Sequence, residues 1–238
     1  MPDLQQRLTE LHLSLTETAR KSGRTEPVRL LAVSKTFAAD LVEQAWQAGQ
    51  RDFGESYVQE AVAKIAELAH LDGLVWHFIG PLQANKARLV AEHFQWMHSI
   101  DRLKIARRLS ALRPPHLPPL NICLQINIDR ETSKSGFDPE QLCEAVAEIA
   151  LLPRLRLRGL MALPARRHTF AAQQRPFKEV AALFDRVRRE LPQPHWNTLS
   201  MGMSGDMMAA VAQGATIVRI GTALFGQRFN DRNSKNDR

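Results

Sequence analysis

Only two of the 238 residues are cysteine, and Cys123 and Cys143 do not form a CxxC pair. That excludes a disulfide framework and a cysteine-based zinc module. Both lie in apolar periodic segments and are expected as buried thiols of a reducing cytosol. His93 and His98 lack further ligands at metal-binding intervals, so no metal is expected. Aromatic residues make up 6% of the chain, with a single tyrosine, Tyr57. The net charge of +7 is carried by dispersed arginines such as Arg107-Arg108 and Arg186 with Arg188-Arg189. A nucleic-acid surface would interleave basic and aromatic residues in a patch, so no such partner is expected. The same charge suits a small phosphorylated anion. No run of about 18 apolar residues occurs, which excludes a hydrophobic membrane helix. Met1-Pro2-Asp3-Leu4-Gln5-Gln6 lacks a basic segment followed by an apolar core, so no signal peptide is expected and a cytoplasmic location follows.

What is present is alternation. A leucine stripe at 4, 8, 11 and 15 predicts a helix from Asp3 to about Lys21, capped near Gly23 and stopped by Pro27. Strands are predicted at 30–34, 51–54, 75–79, 95–100, 120–127, 157–162, 196–200 and 216–220. Helices are predicted at 39–48, 57–71, 83–92, 101–112, 139–151, 173–191 and 205–213. In the second of these, Val58, Val62, Ile65, Leu68 and Ala69 are read as the inward face. Asp101 is read as the cap of helix 101–112. Eight strand–helix alternations imply a parallel sheet with helical crossovers, closing into an α/β (β/α)8 TIM barrel with an extra N-terminal helix. An open doubly wound sheet would want a Gly-rich turn after the first strand, and Ser34-Lys35-Thr36-Phe37 is not one. Residues 1–228 are expected to form one domain, with 229–238 a polar flexible tail.

The first strand, Leu30-Leu31-Ala32-Val33-Ser34, runs into Lys35. Either this lysine simply reaches water as the strand ends, or burial lowers its pKa and makes it an amine able to capture a carbonyl as a Schiff base. In a barrel the working face is the carboxyl end of the strands, with phosphate bound after strands seven and eight. Those turns are Ser200-Met201-Gly202-Met203-Ser204-Gly205-Asp206 and Gly221-Thr222-Ala223-Leu224-Phe225-Gly226. Their glycines admit close approach of an anion to backbone N–H groups, and Ser200 and Thr222 add hydroxyls. Arg219 lies inside the eighth strand between Val218 and Ile220, and alternation points it into the barrel. A buried arginine needs an acceptor: a carboxylate, for which Glu55 is the candidate, or a ring nitrogen of a bound cofactor. Pyridoxal 5′-phosphate carries an aldehyde, a phosphate and a pyridine nitrogen, three handles that Lys35, the two turns and Arg219 would match.

Several stretches carry a specific likeness: Leu31-Ala-Val-Ser-Lys35, Phe53-Gly-Glu-Ser-Tyr-Val-Gln-Glu60, Trp76-His-Phe-Ile-Gly-Pro-Leu-Gln-Ala-Asn-Lys86, Ser133-Lys-Ser-Gly136, Leu157-Arg-Gly-Leu-Met-Ala162, Leu199-Ser-Met-Gly-Met-Ser204 and Val218-Arg-Ile-Gly-Thr-Ala-Leu-Phe-Gly226. Through nearly its whole length the chain resembles the pyridoxal phosphate homeostasis proteins (the YggS/PROSC type), which share the barrel of the alanine racemase N-terminal domain. The resemblance implies that Lys35 holds the cofactor as an internal aldimine. It also implies that Ser200, Met201, Gly202, Gly221 and Thr222 surround the phosphate, and that Arg219 faces the ring nitrogen. Ser56 stands where the family pattern has asparagine, and Gly205 where an acidic residue precedes Asp206. Ser56 and His77 are candidates for the wall of the ring, His77 equally a satisfied core histidine. Met203 is read as packing, and Lys134 as either a second amine for cofactor hand-off or a turn lysine in water.

The function so implied is intracellular homeostasis of pyridoxal phosphate by a binding protein that buffers or delivers it, with no catalytic residues. Apo-enzymes that use the cofactor are the expected recipients, the state expected is a monomer, and no membrane partner is expected. A racemase of this fold takes its second acid/base from a tyrosine in a separate C-terminal domain, whereas this chain ends soon after strand eight with Tyr57 its only tyrosine. A slow amino-acid racemase is the alternative.

Overall fold

The computed structural model describes residues 3–131 and 134–227. Ser133 and the tail at 229–238 therefore lie outside the described residues. Helix α1 (Leu4–Lys21) forms as its stripe predicts: Leu4, Leu8, Leu11 and Leu15 are buried, and the Asp3 carboxylate accepts from Gln6 N at 2.7 Å. There follow β1 (Arg29–Val33), α2 (Ala39–Gln47), β2 (Asp52–Glu55), α3 (Val58–Glu67), β3 (Val75–Phe78), a 3-10 turn at 84–86 with α4 (Ala87–His93), β4 (Trp96–Ile100), α5 (Leu103–Leu112), β5 (Leu120–Ile126), α6 (Leu142–Ala150), β6 (Leu155–Ala162), α7 (Phe170–Glu190), β7 (Thr198–Met203), α8 (Met207–Ala212), β8 (Ile217–Ile220) and α9 (Thr222–Phe225). Every strand pairs in parallel with the next, and β8 closes on β1 with Leu31 opposite Arg219. Among the described residues, no helix is long and apolar enough to cross a membrane.

Alternation along the closed sheet makes two compartments. Leu30, Ala32, Phe53, Phe78, Ile122, Leu124, Met201, Val218 and Ile220 face outward into the main core beneath the helices. Trp96, Cys123 and Met161 pack together inside the barrel, where Arg219 and Ser200 also meet. The interior is thus part apolar and part polar, and its polar part leads to the mouth.

Four local expectations change. Helix α5 starts at Leu103 with Arg102 at the cap position; Asp101 makes no cap bond and pairs with Arg102 instead. In α3 the buried positions are Ala61 and Lys64, with Leu68 at its end, whereas Val62 is half-buried and Ala69 exposed. The inward face is rotated because a lysine occupies it. Cys123 is buried, but Cys143 is only half-buried, its thiol donating to Glu190 Oε2 at 3.4 Å. Strand β7 starts later than expected and runs on to Met203, because Gly202 takes φ +94° and the ladder with β8 shifts register between Ser200 and Met203. That extension changes the role of Ser200.

Candidate functional site

Lys35 leaves β1 at the carboxyl end of the barrel, half-buried. It lines a cavity of about 730 Å³ together with Ser56, Tyr57, Gln83, Lys86 and Leu163. Its backbone is clamped from α3 and β2. Lys64 Nζ donates to the Ser34 carbonyl at 2.9 Å and to Glu55 Oε1 at 2.7 Å. Ser34 Oγ donates to the same Glu55 oxygen at 2.7 Å. On the other side of Lys35, Thr36 N donates to Glu60 Oε1 at 2.7 Å, and Lys64 also reaches that oxygen at 3.2 Å. Thr36 has φ +67°, a left-handed conformation that costs a β-branched residue about 1–3 kcal/mol and persists only where its surroundings hold it. Glu60 and Lys64 are that hold. Burial pushes the Glu55 carboxyl above its ordinary pKa, against the opposing pull of Lys64 and the hydrogen bond from Ser34. Glu55 Oε2 is buried without a hydrogen-bond partner.

Glu55 is therefore not the partner of Arg219. It faces α3 outside the sheet, whereas Arg219 points inside, as alternation requires. Arg219 is 4% exposed and donates to three acceptors, none of them a carboxylate: Nη1 to the Ser200 carbonyl at 2.6 Å and to Ser200 Oγ at 2.8 Å, and Nη2 to the Ala162 carbonyl at 2.8 Å. Among the described residues no carboxylate lies within ion-pair distance of it, and the charge of Asp206 acts on it only as a field. Burial pulls its pKa down to about 10, so it remains a cation at neutral pH.

Ser200 was expected in a phosphate-binding turn. It is instead wholly buried inside β7, with Oγ engaged by Arg219 and by His98 Nδ1 at 2.7 Å. The turn proper is Ser204–Asp206. Met203 N donates to Asp206 Oδ1 at 2.6 Å, and Gln173 Nε2 donates to the Gly205 carbonyl at 3.1 Å. Met201 is buried on the outer face of β7, and Met203, expected as packing, is exposed. A Cβ on Gly202 would stand 2.6 Å from Ala210 Cβ, so this glycine lets α8 close on the strand. His77 does not wall the mouth either. It is fully buried, Nε2 on Asp52 Oδ1 at 2.8 Å and Nδ1 on His98 Nε2 at 2.9 Å.

Gly221 and Thr222 lie where expected, at the turn from β8 into α9. A Cβ on Gly221 would come within 3.4 Å of the Val33 carbonyl, so this turn rests against the end of β1, two residues before Lys35. Thr222 and Ala223 open a helical turn, where N–H groups lack acceptors within the helix. Lys134 stands in the loop between β5 and α6, its ammonium held by Glu131 at 2.9 Å and Asp129 at 3.5 Å. It lines an adjoining cavity of about 310 Å³ that shares Ile79, Pro81 and Leu163 with the first. Lys64, Glu60 and His98 are site-supporting residues that sequence reasoning missed. For Lys64 and Glu60 the available signal was charge on a helix face that should have been apolar; His98, on β4, gave none.

This donor set suits pyridoxal phosphate. An amine stands at the mouth, a buried cation without a carboxylate lies below it, and a glycine-bearing turn adjoins both. Comparison with known proteins agrees. Residues 15–229 match the family described as alanine racemase, N-terminal domain. The pyridoxal phosphate homeostasis protein of Escherichia coli (strain K12) is 52% identical over 231 residues, 96% of this chain and 98% of that one. The protein of the same name from Pseudomonas aeruginosa is 52% identical over 229 residues, 96% and 97% of the two chains. PipY of Synechococcus elongatus PCC7942, solved with PLP bound, superposes with a TM-score of 0.83 at 38% identity, over 94% of this chain and all of PipY. Alanine racemase from Clostridium difficile, at 14% identity and a TM-score of 0.67, shares the fold.

Proposed function

The chain belongs to the alanine racemase N-terminal domain family and, within it, to the pyridoxal phosphate homeostasis proteins, and from that membership we propose that it binds pyridoxal 5′-phosphate and serves its homeostasis in the cytoplasm. When bound, the cofactor supplies an aldehyde that a primary amine can capture. Lys35 is the amine this chain offers, and its backbone is fixed on both sides by the α3 clamp. Arg219 presents a guanidinium to the interior side of the site. Being protonated at neutral pH, it donates to a ring nitrogen and cannot protonate it. A pyridine so held is a weak electron sink, which favours holding the cofactor over amino-acid chemistry. The N–H groups of Gly221 and Thr222, with those of Ser204 and Gly205, are the donors for the phosphate. Ser200 contributes through Arg219. Apo-enzymes that need the cofactor are the proposed recipients.

The observation that carries this reading is Arg219: a buried cation with no carboxylate in ion-pair range among the described residues, on the strand beside β1, whose end lies two residues before Lys35. The test is the absorbance of the purified protein before and after borohydride, followed by peptide mapping. A cofactor mass fixed on Lys35, and absent from Lys35→Ala, is the expected result. No fixed mass on wild-type protein incubated with pyridoxal phosphate would overturn the reading. Tyr57, which lines the same cavity as Lys35, gives the racemase reading one foothold. Exchange of Cα hydrogen for deuterium at turnover rates, lost in Tyr57→Phe, would favour it.

A further inference from the structure

Arg219, Ser200, His98, His77 and Asp52 form one unbroken line of hydrogen bonds through the inside of the barrel, at 2.8, 2.7, 2.9 and 2.8 Å. It starts near the mouth and ends on Asp52, whose Oδ1 also pairs with Arg29. Ser200, His98 and His77 are each fully buried. We propose that His98 and His77 are positioning residues that act on the cofactor only through Arg219, by imposing one direction on this line and so fixing the plane of the guanidinium. The proposal rests on the binding reading above only where the cofactor is concerned; the geometry of Arg219 itself does not depend on it.

The direction follows from counting protons. Asp52 is an acceptor only: burial would raise its pKa, but the hydrogen bond from His77 and the charge and hydrogen bond of Arg29 hold the carboxyl below its ordinary value and ionised. His77 Nε2–H therefore donates to Asp52. If His77 is neutral, its Nδ1 accepts from His98 Nε2–H. His98 Nδ1 then accepts the hydroxyl proton of Ser200, whose lone pair accepts from Arg219 Nη1–H. Every group is satisfied. If His77 is an imidazolium, the order reverses: His98 Nδ1–H and Arg219 both donate to Ser200 Oγ, and the serine proton has no acceptor in the line. An unsatisfied buried hydroxyl is disfavoured by about 1–3 kcal/mol, so the first order holds. Burial pushes both imidazoles below their ordinary pKa in support. The other groups facing the line are Trp96, stacked on His77 with ring centroids 5.3 Å apart, the arginines Arg29 and Arg158 over Trp96, and the neutral thiol of Cys123. None of these is a second carboxylate.

Two consequences are chemical. The Ser200 proton is committed to His98, so Ser200 cannot donate to a phosphate. Arg219 Nη1 is tied to two acceptors on β7 and Nη2 to one on β6, which leaves the guanidinium a single orientation.

The experiment uses protein labelled with 15N at histidine and arginine, first free and then loaded with ring-15N pyridoxal phosphate. In the free wild type, both histidines should show neutral Nε2–H tautomers at neutral pH, and Arg219 should give resolved Nη signals from hindered rotation. His98→Phe keeps the ring and its packing and should collapse the Arg219 signals into one. His98→Asn returns an amide near the Nδ1 position and should restore them. Ser200→Ala, which deletes one hydroxyl, should also collapse them and serves if His98→Phe does not fold. In the loaded protein, His98→Phe and Ser200→Ala should release the cofactor about tenfold faster, the scale of one hydrogen bond to a charged group. The ring-nitrogen signal should also move towards a protonated pyridine. An imidazolium or Nδ1–H tautomer at either histidine in the free protein overturns the proposal, as do Arg219 signals indifferent to both variants. Failure of the wild type to take up the cofactor would instead overturn the binding reading, while the free-protein spectra still decide this one.

Discussion

Lys64→Met isolates the clamp on Lys35. The ammonium is 5% exposed and sits 2.7 Å from Glu55 Oε1, while the Glu55 side chain is wholly buried. Removing it leaves that carboxylate one donor, Ser34 Oγ, and leaves Oε2 still unpartnered. Breaking a buried pair from one side costs about 3–5 kcal/mol. Glu55 can escape part of this by taking up a proton. From its ordinary value of 4.5, that costs about 3.4 kcal/mol at neutral pH, at 1.36 kcal/mol per unit. The loss should therefore settle near 3 kcal/mol. The sign with pH follows. In the variant the folded pKa of Glu55 lies above the unfolded one, so folding binds a proton and the deficit grows as pH rises through that window. Lowering the pH from about 7 to about 5.5 should recover up to roughly 2 kcal/mol. Urea unfolding at the two pH values measures this. The double variant Glu55→Gln/Lys64→Met carries neither charge and should lie above Lys64→Met. A loss under about 1 kcal/mol, a deficit that does not change with pH, or a double variant no better than the single would refute the reasoning. Borohydride fixation on Lys35 should slow in Lys64→Met even where the protein is folded, because the Ser34 carbonyl has lost its donor.

Burial holds His77 and His98 below their ordinary pKa when folded, so the unfolded chain takes up their protons first. Wild-type stability should thus fall as the pH drops below about 6.5, and fall less steeply in His98→Phe. Asp52, held below its ordinary value, adds stability that is lost only further into acid. With a thiol reagent, Cys143 should react in the native protein while Cys123, buried and pushed up to about 12, reacts only in denaturant; rapid native labelling of both would contradict the burial. Gly202→Ala adds a methyl at φ +94°, 2.6 Å from Ala210 Cβ, and should cost about 1–3 kcal/mol in urea titration. An unchanged midpoint would show that α8 gives way freely.

The eight alternations, the leucine stripe of α1 and the interior direction of Arg219 were legible because they depend on local periodicity, which a strand or helix imposes whatever it packs against. Lys35 was legible for the same reason, as a charge ending an apolar strand. Ser200 was misplaced because a shift in the β7–β8 ladder near Gly202 carries the strand past it, and a bulge leaves no mark on a period of two. Glu55, one candidate partner for Arg219, pairs with Lys64 instead, because the parity of β2 relative to β8 is a property of the closed sheet, not of either segment.

The sequence by itself determined the barrel, the amine at its first strand and the family. Only the tertiary structure decided who meets whom across it: Lys64 turned inward beneath the Lys35 loop, and His98 of β4 bonded to Ser200 of β7, 102 positions apart. Periodicity reaches a few residues along a chain. Closing eight strands brings side chains from opposite arcs into hydrogen-bond range, and that closure is where the polar interior acquires its direction.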